Sequence, residues 1–293
     1  MAATASSTAR SFKIALVQLL VTANKQANLS LARTRVLEAK KNGAEVVVLP
    51  ECFNSPYGTS HFPKYAELLD GESSQALQSM AKDAGVYLIG GSFPEQAPSS
   101  TSSPSKGSFF NTCTVWDPTG ARIGVHRKVH LFDISVPGGI TFKESEVLSA
   151  GNKVTVVDTI FGKIGVGICY DIRFPELAMI AARQGCVAMI YPGAFNMTTG
   201  PLHWELLLRA RAVDNQIYTA ACSPARDAGA GYIAYGHSSV VDPMGAVIGT
   251  TDGKEDIVYA DVDLGKIAST RQAIPVTTQR RFDVYPDVSA GFR

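Results

Sequence analysis

The chain has 293 residues, 45% of them hydrophobic and 18% charged, with a formal net charge of +1. That is apolar material for one large domain or two average ones, and too little charge for a disordered chain. Acids and bases are interspersed, so nothing electrostatic points to nucleic acid or an anionic membrane as partner.

Cysteines 52, 113, 169, 186 and 222 form no CxxC pair. They read as reduced thiols of a cytoplasmic protein and not as a disulfide framework. No apolar stretch approaches the length of a membrane span. Residues 1–12 read as a disordered start. They contain no acid and one base, Arg10, so a presequence directing a mitochondrial pool is the alternative reading.

From Lys13 the elements alternate. Lys13–Leu20 is an apolar strand, and Leu29, Ala32, Val36 and Leu37 then recur at helical spacing up to Gly43. Glu45–Leu49 is a second strand, stopped by Pro50, which makes a β-α-β unit with parallel neighbours. Ser73–Asp83 is helical and Val86–Gly90 a third strand. Residues 97–107, rich in Ser, Pro and Thr, read as an exposed loop. Asn111–Trp116 and Arg122–His126 flank the turn Asp117-Pro118-Thr119-Gly120, and Val154–Asp158 and Lys163–Ile168 flank Phe161-Gly162, each a hairpin. A helix from Pro175 to Gln184, a strand at Val187–Tyr191, a helix over Leu202–Asp214 and a strand at Ile217–Cys222 follow. Ser238–Asp242 and Ala246–Ile248 form another hairpin, Ile257–Val262 a last strand, and a helix and tail lie beyond Ile267. No linker interrupts this pattern, so 13–293 is expected to be one α/β domain, tail included, with mixed sheets.

Four segments carry chemistry. They are Leu-Pro-Glu-Cys-Phe-Asn at 49–54, His-Arg-Lys-Val-His at 126–130, Thr-Phe-Lys-Glu-Ser at 141–145 and Gly-Ile-Cys-Tyr-Asp-Ile-Arg-Phe at 167–174. Glu51 and Cys169 each follow a short apolar run, at the strand edge where open α/β sheets bind ligands. Cys169 then precedes a helix, a turn that exposes a thiol and offers backbone N–H groups to an anion. A carboxylate raised by burial, as at Glu51, suits proton transfer near neutral pH. Lys128 lies in a basic run of the kind usually solvated; pointing inward, it could meet an oxyanion. Glu144 is a surface charge by default, and beside a lysine and a thiol it would orient both by hydrogen bonding. A thiol, a base and a cation are what hydrolysis of a carbon–nitrogen bond needs. The other four cysteines, in or beside apolar elements, read as structural. His126 and His130 have the spacing of a zinc pair, but the intervening residues lack the glutamate of that motif and no third ligand is evident. No nucleophile elbow, dinucleotide fingerprint or phosphate loop is present.

In order and context these segments resemble the nitrilase superfamily of carbon–nitrogen hydrolases. The similarity extends over about Lys13 to Tyr285. Further runs at 191–205, 211–216 and 223–227 carry a closer likeness to the branch that hydrolyses the terminal amides of short dicarboxylic acids, such as 2-oxoglutaramate and 2-oxosuccinamate. The resemblance implies a four-layer α-β-β-α sandwich and at least a homodimer. The subunits would meet back to back through the helices after Cys169 and after Gly200-Pro201, and the tail around Gln279–Asp283 would cross to the partner. It implies a catalytic triad of Glu51, Lys128 and Cys169 with Glu144 as an added acid, an oxyanion site completed by the Tyr170 N–H, and no metal or organic cofactor. Arg173 is the candidate for the substrate's free carboxylate, against a structural salt bridge. Tyr57, Phe195 and Thr199 would wall and hydrogen-bond the same pocket. Rival readings are an amidase of the same triad whose longer pocket takes deaminated glutathione, a true nitrilase, and a non-catalytic interaction protein on this scaffold. The partner expected is thus a small amide.

Overall fold

The computed structural model describes residues 10–97, 109–135, 137 and 141–285. Two mixed sheets form its centre. The first runs Asp256–Val262, Phe12–Gln18, Val46–Val48, Tyr87–Ile89, Phe109–Trp116 and Phe93–Gln96, with Arg122–Arg127 also paired to Phe109–Trp116. The second runs Val247–Thr250, Ser239–Val241, Tyr218–Cys222, Cys186–Pro192, Gly162–Val166 and Thr155–Thr159. The three strands from Phe12 to Ile89 are parallel to one another. So are those at Gly162, Cys186 and Tyr218. The hairpins read from sequence are antiparallel additions to these cores.

The pleat sorts the apolar residues into layers, because successive side chains of a strand point to opposite faces. Ile14, Leu16, Val46 and Val48 join Ile164, Val166, Ala188 and Ile190 in a cluster between the sheets. Ala15, Val17, Val47 and Leu49 pack instead with Leu29, Ala32 and Val36 of the helix Lys25–Lys41 and with Leu77, Met80 and Ala81 of the helix Glu72–Ala84. On the far side the helices Pro175–Arg183 and Gly200–Asn215 cover the second sheet. There Gly165 lies so close to the first of them that a Cβ would sit 3.0 Å from the Ala181 Cβ. The order of layers is helix, sheet, sheet, helix, as expected.

Local chemistry explains where boundaries moved. The first helix begins at Lys25, four residues before its first apolar position, because the Asn24 side chain accepts the Ala27 N–H at 3.1 Å. The last long helix begins at Leu264 for the same reason, with Asp263 accepting from Gly265. Phe12, assigned from sequence to the disordered start, is buried and pairs with Val262; the first nine residues of that start lie outside the described residues. So does the Ser-rich loop from 98 to 107. Three strands, with short helical turns such as Phe62–Tyr65, escaped the sequence reading. Phe93–Gln96 carries Pro94, which an edge strand tolerates. The short hairpin Asp133–Ser135 with Thr141–Lys143 has little apolar alternation to announce it.

These choices bring loops from both sheets to one end of the sandwich. Gly91 shows how tightly. Its φ is +64°, and a Cβ there would lie 2.2 Å from the Pro50 carbonyl oxygen, next to Glu51. Gly91→Ala is expected to lower stability by about 1–3 kcal/mol, the cost of a forced left-handed residue, read as a lower urea midpoint at unchanged slope.

Candidate active site

Four loops converge. Glu51 follows Val46–Val48 through Leu49 and Pro50, Lys128 follows Arg122–Arg127 directly, and Cys169 follows Gly162–Val166. Glu144 opens a one-turn 3-10 helix after the small hairpin. The Lys128 Nζ lies 3.1 Å from Glu51 Oε1 and 2.9 Å from Glu144 Oε1, and all three side chains have 0% exposure. The basic run at 126–130 is thus not a solvated face.

Buried ions persist only when their remaining lone pairs are also bonded. Here they are. Glu51 accepts from Asn111 Nδ2 and from the Ala194 N–H, each at 2.8 Å. Glu144 accepts from the Tyr57 hydroxyl at 2.6 Å and the Phe132 N–H at 2.7 Å. Burial raises Glu51 above the usual carboxylate range, Lys128 opposing and Glu144 adding to the shift. Burial would lower Lys128, but the two carboxylates outweigh it and hold the ammonium charged.

Cys169 sits at a φ of +47°, a left-handed conformation costly for a residue with a Cβ. Gly193 helps to hold it there, since a Cβ on Gly193 would lie 3.2 Å from the Cys169 Cα. Burial pushes the thiol well up, Glu51 adds to that and Lys128 opposes it. Both burial and the Glu51 carboxylate favour the thiol over the thiolate. Cys169–Arg173 form a 3-10 turn rather than the start of the helix itself, which begins at Pro175. The Tyr170 N–H belongs to the first turn, where no carbonyl of the same helix can accept it.

Arg173 closes that turn. Its guanidinium lies 4.8 Å from the Phe195 ring and 5.6 Å from Tyr170, with Nη1 3.1 Å from His203 Nδ1. No carboxylate pairs with it among the described residues, so the salt-bridge alternative is not what the fold makes of it. With Cys169, Phe195, Thr199 and Tyr232 it lines a small recess. A larger cavity of about 410 Å³ is lined by Glu51, Tyr57, Phe142 and His61, and shares Ala194 and Tyr232 with the recess. Two expected ligand contacts are modified. The Tyr57 hydroxyl is committed to Glu144, leaving its ring as a wall. The Thr199 hydroxyl and N–H are both bound to Asn196 Oδ1, at 3.1 and 2.8 Å.

Sequence reasoning missed Asn111, Tyr232 and above all Asp171. The buried Asp171 carboxylate accepts the Ile168 N–H at 2.9 Å and the His130 N–H at 2.9 Å. It also meets His126 Nε2 at 3.0 Å and His130 Nδ1 at 2.8 Å. The two histidines stand two residues either side of Lys128, and Asp171 two residues past Cys169. One carboxylate thus ties the lysine loop to the thiol loop. The histidine spacing was the available signal, and what it marks is this tie.

The carbon-nitrogen hydrolase family model matches residues 13–272. The chain is 60% identical over 281 residues to "Hydrolase C26A3.11" of Schizosaccharomyces pombe, covering 95% of this chain and 85% of that one. It is 56% identical over 274 residues to the omega-amidase NIT2 of Danio rerio, covering 94% and 96%. The crystal structure of Saccharomyces cerevisiae Nit3, a member of branch 10 of the nitrilase superfamily, matches with a TM-score of 0.84 and 48% identity over 93% of this chain and 97% of that one.

Burial would raise Asp171, but its bonds to His126 and His130 hold it far below the usual carboxylate range. A depressed carboxylate stabilises the fold fully above its unfolded pKa, about 3.9, and loses that contribution as pH falls below it. Asp171→Asn should therefore cost about 1–3 kcal/mol at pH 7, and the gap to wild type should narrow in urea melts as pH falls from 5 towards 3.

Proposed function

The chain belongs to the carbon-nitrogen hydrolase family, and on that premise we propose that it is an omega-amidase, releasing ammonia from the terminal amide of short dicarboxylic acid monoamides such as 2-oxoglutaramate. The observation that carries this reading is a buried Glu51–Lys128–Cys169 group with an arginine, Arg173, that no carboxylate pairs with among the described residues, on the wall beside the thiol. The first supplies amide hydrolysis. The second supplies a fork for the substrate's far carboxylate, by two parallel hydrogen bonds.

The chemistry follows from the charges. Glu51 takes the proton of the Cys169 thiol as sulfur attacks the amide carbon. The oxygen of the tetrahedral adduct gains its negative charge between the Lys128 ammonium and the Tyr170 N–H. Glu51 passes its proton to nitrogen, the C–N bond breaks and ammonia leaves a thioester. Water then enters, Glu51 removes its proton, and the second adduct collapses to a carboxylate and the thiol. Glu144, holding the lysine from the other side, keeps Nζ in place through both steps. No metal or organic cofactor takes part in this scheme.

The recess beside Cys169 has a volume of only about 10 Å³, so an acyl group as long as that of deaminated glutathione would have to extend into the larger cavity. Assembly as a homodimer is supported by an apolar surface on the second-sheet side, where Ile180, Leu202, Leu206, Val213 and Met244 are exposed. The five cysteines are all free and buried, which suits the reducing cytoplasm.

Purified protein is expected to release ammonia from succinamate and 2-oxoglutaramate, and Cys169→Ala to abolish it; turnover of deaminated glutathione alone would overturn the substrate assignment and leave the triad standing. Lys128→Met should lower kcat by about 10²–10³, the loss of one oxyanion donor. Arg173→Gln should lower kcat/KM for succinamate by about 10–100-fold, the worth of a charge-assisted hydrogen bond, and spare a neutral amide such as butyramide.

A further inference from the structure

The donors around Glu51 are divided unequally between its two oxygens. Oε1 accepts from Lys128 Nζ at 3.1 Å and from Asn111 Nδ2 at 2.8 Å. Oε2 accepts the Ala194 N–H at 2.8 Å and no other donor among the described residues. Each carboxylate oxygen has two lone pairs to offer, so Oε2 is the one with a place left for the thiol proton. Where that place points depends on Ala194. This residue lines the recess together with Cys169 and the larger cavity together with Glu51.

Ala194 lies outside regular structure, after the strand Cys186–Pro192 and before the helix that begins at Gly200. Its neighbours are tied by backbone bonds. The Gly193 N–H donates to the Cys222 carbonyl at 2.9 Å, and the Tyr235 N–H to the Phe195 carbonyl at 2.7 Å. The Ala194 carbonyl is held instead by a side chain, the Tyr232 hydroxyl, which donates to it at 2.6 Å. The Tyr232 ring packs against Tyr57 and Phe142, with centroids 4.6 and 5.9 Å away, so the hydroxyl is presented from a fixed platform. Burial pushes its phenol well above the ordinary range, which keeps it a donor at neutral pH. With that proton committed, the hydroxyl has none to give to a substrate carboxylate.

We propose that Tyr232 is a positioning residue of the catalytic base: its hydroxyl fixes Ala194, whose N–H in turn holds Glu51 Oε2 toward Cys169. The titratable groups that face Glu51 are Lys128, Glu144, Cys169, Cys52, Tyr57 and Tyr232. Removing the Tyr232 hydroxyl alters only the last of them. It frees the Ala194 backbone, and a loosened bond to the ionised carboxylate raises its proton affinity. The inference rests on Glu51 being the base of the proposed reaction.

Steady-state ammonia release from succinamate, followed across the pH range in wild type, Tyr232→Phe and Glu51→Gln, tests this. Tyr232→Phe keeps the ring and is expected to lower kcat about tenfold, a fraction of what general base catalysis contributes, with KM changed less than about twofold. The acid limb of kcat/KM should move up by about one pH unit, because Glu51 then holds its proton to higher pH. An unmoved limb, even beside a lower urea midpoint, gives the hydroxyl a purely structural role and overturns the proposal. A raised KM at wild-type kcat places the hydroxyl on the substrate and overturns it too. Activity retained in Glu51→Gln removes the base on which the inference rests. A silent Glu51→Gln beside a Tyr232→Phe that behaves as wild type leaves the base standing and refutes the role of Tyr232 alone.

Discussion

Everything at the active end of this molecule depends on one ammonium group shared by two carboxylates out of contact with water. Lys128 between Glu51 and Glu144 leaves a net charge of about −1 in a region with no exposure, a situation unfavourable unless each oxygen is bonded. The Asn111 amide, the Ala194 and Phe132 N–H groups and the Tyr57 hydroxyl meet that demand. The functional consequence is a base whose proton affinity lies above that of a free carboxylate and a lysine that stays charged. Both features suit the proposed reaction, in which one proton moves from sulfur to nitrogen past a developing oxyanion.

The sandwich exists around this requirement. Parallel strands from each sheet deliver Glu51 and Cys169 from opposite sides of the inter-sheet core. Their approach is controlled by close backbone contacts, at Gly91 against Pro50, where no side chain fits, and at Gly193 against Cys169, where a Cβ would be tight. Asp171 adds the lateral constraint, fixing the lysine loop to the thiol loop through both histidines. Membership of the carbon-nitrogen hydrolase family accounts for the fold as a whole, and these contacts account for how the reactive groups are set within it.

The layered fold was legible because strand and helix periodicities are local properties. Ile14 and Leu16 alternate with Ala15 and Val17 whether or not the partner layers are known. Glu51, Lys128, Glu144 and Cys169 were legible from their flanking runs, and the structure brings them to one place. What sequence could not provide were partners fixed by tertiary contact. An aspartate two residues past a cysteine reads as an ordinary turn residue until two histidines from another loop close on it. Tyr57 reads as a pocket wall until its hydroxyl finds Glu144. The hairpin that carries Glu144 into the site is too short and too exposed for periodicity to register.

The Ala194 N–H that completes Glu51 lies 143 residues further along the chain. A polypeptide leaving the ribosome therefore makes its base early and its base's environment late. The turn after the strand Cys186–Pro192 supplies part of the burial and bonding that sets Glu51 apart from an ordinary carboxylate. Long-range closures of this kind are slow to form. The surroundings of Glu51 are thus a property of the closed fold and not of the segment that carries it.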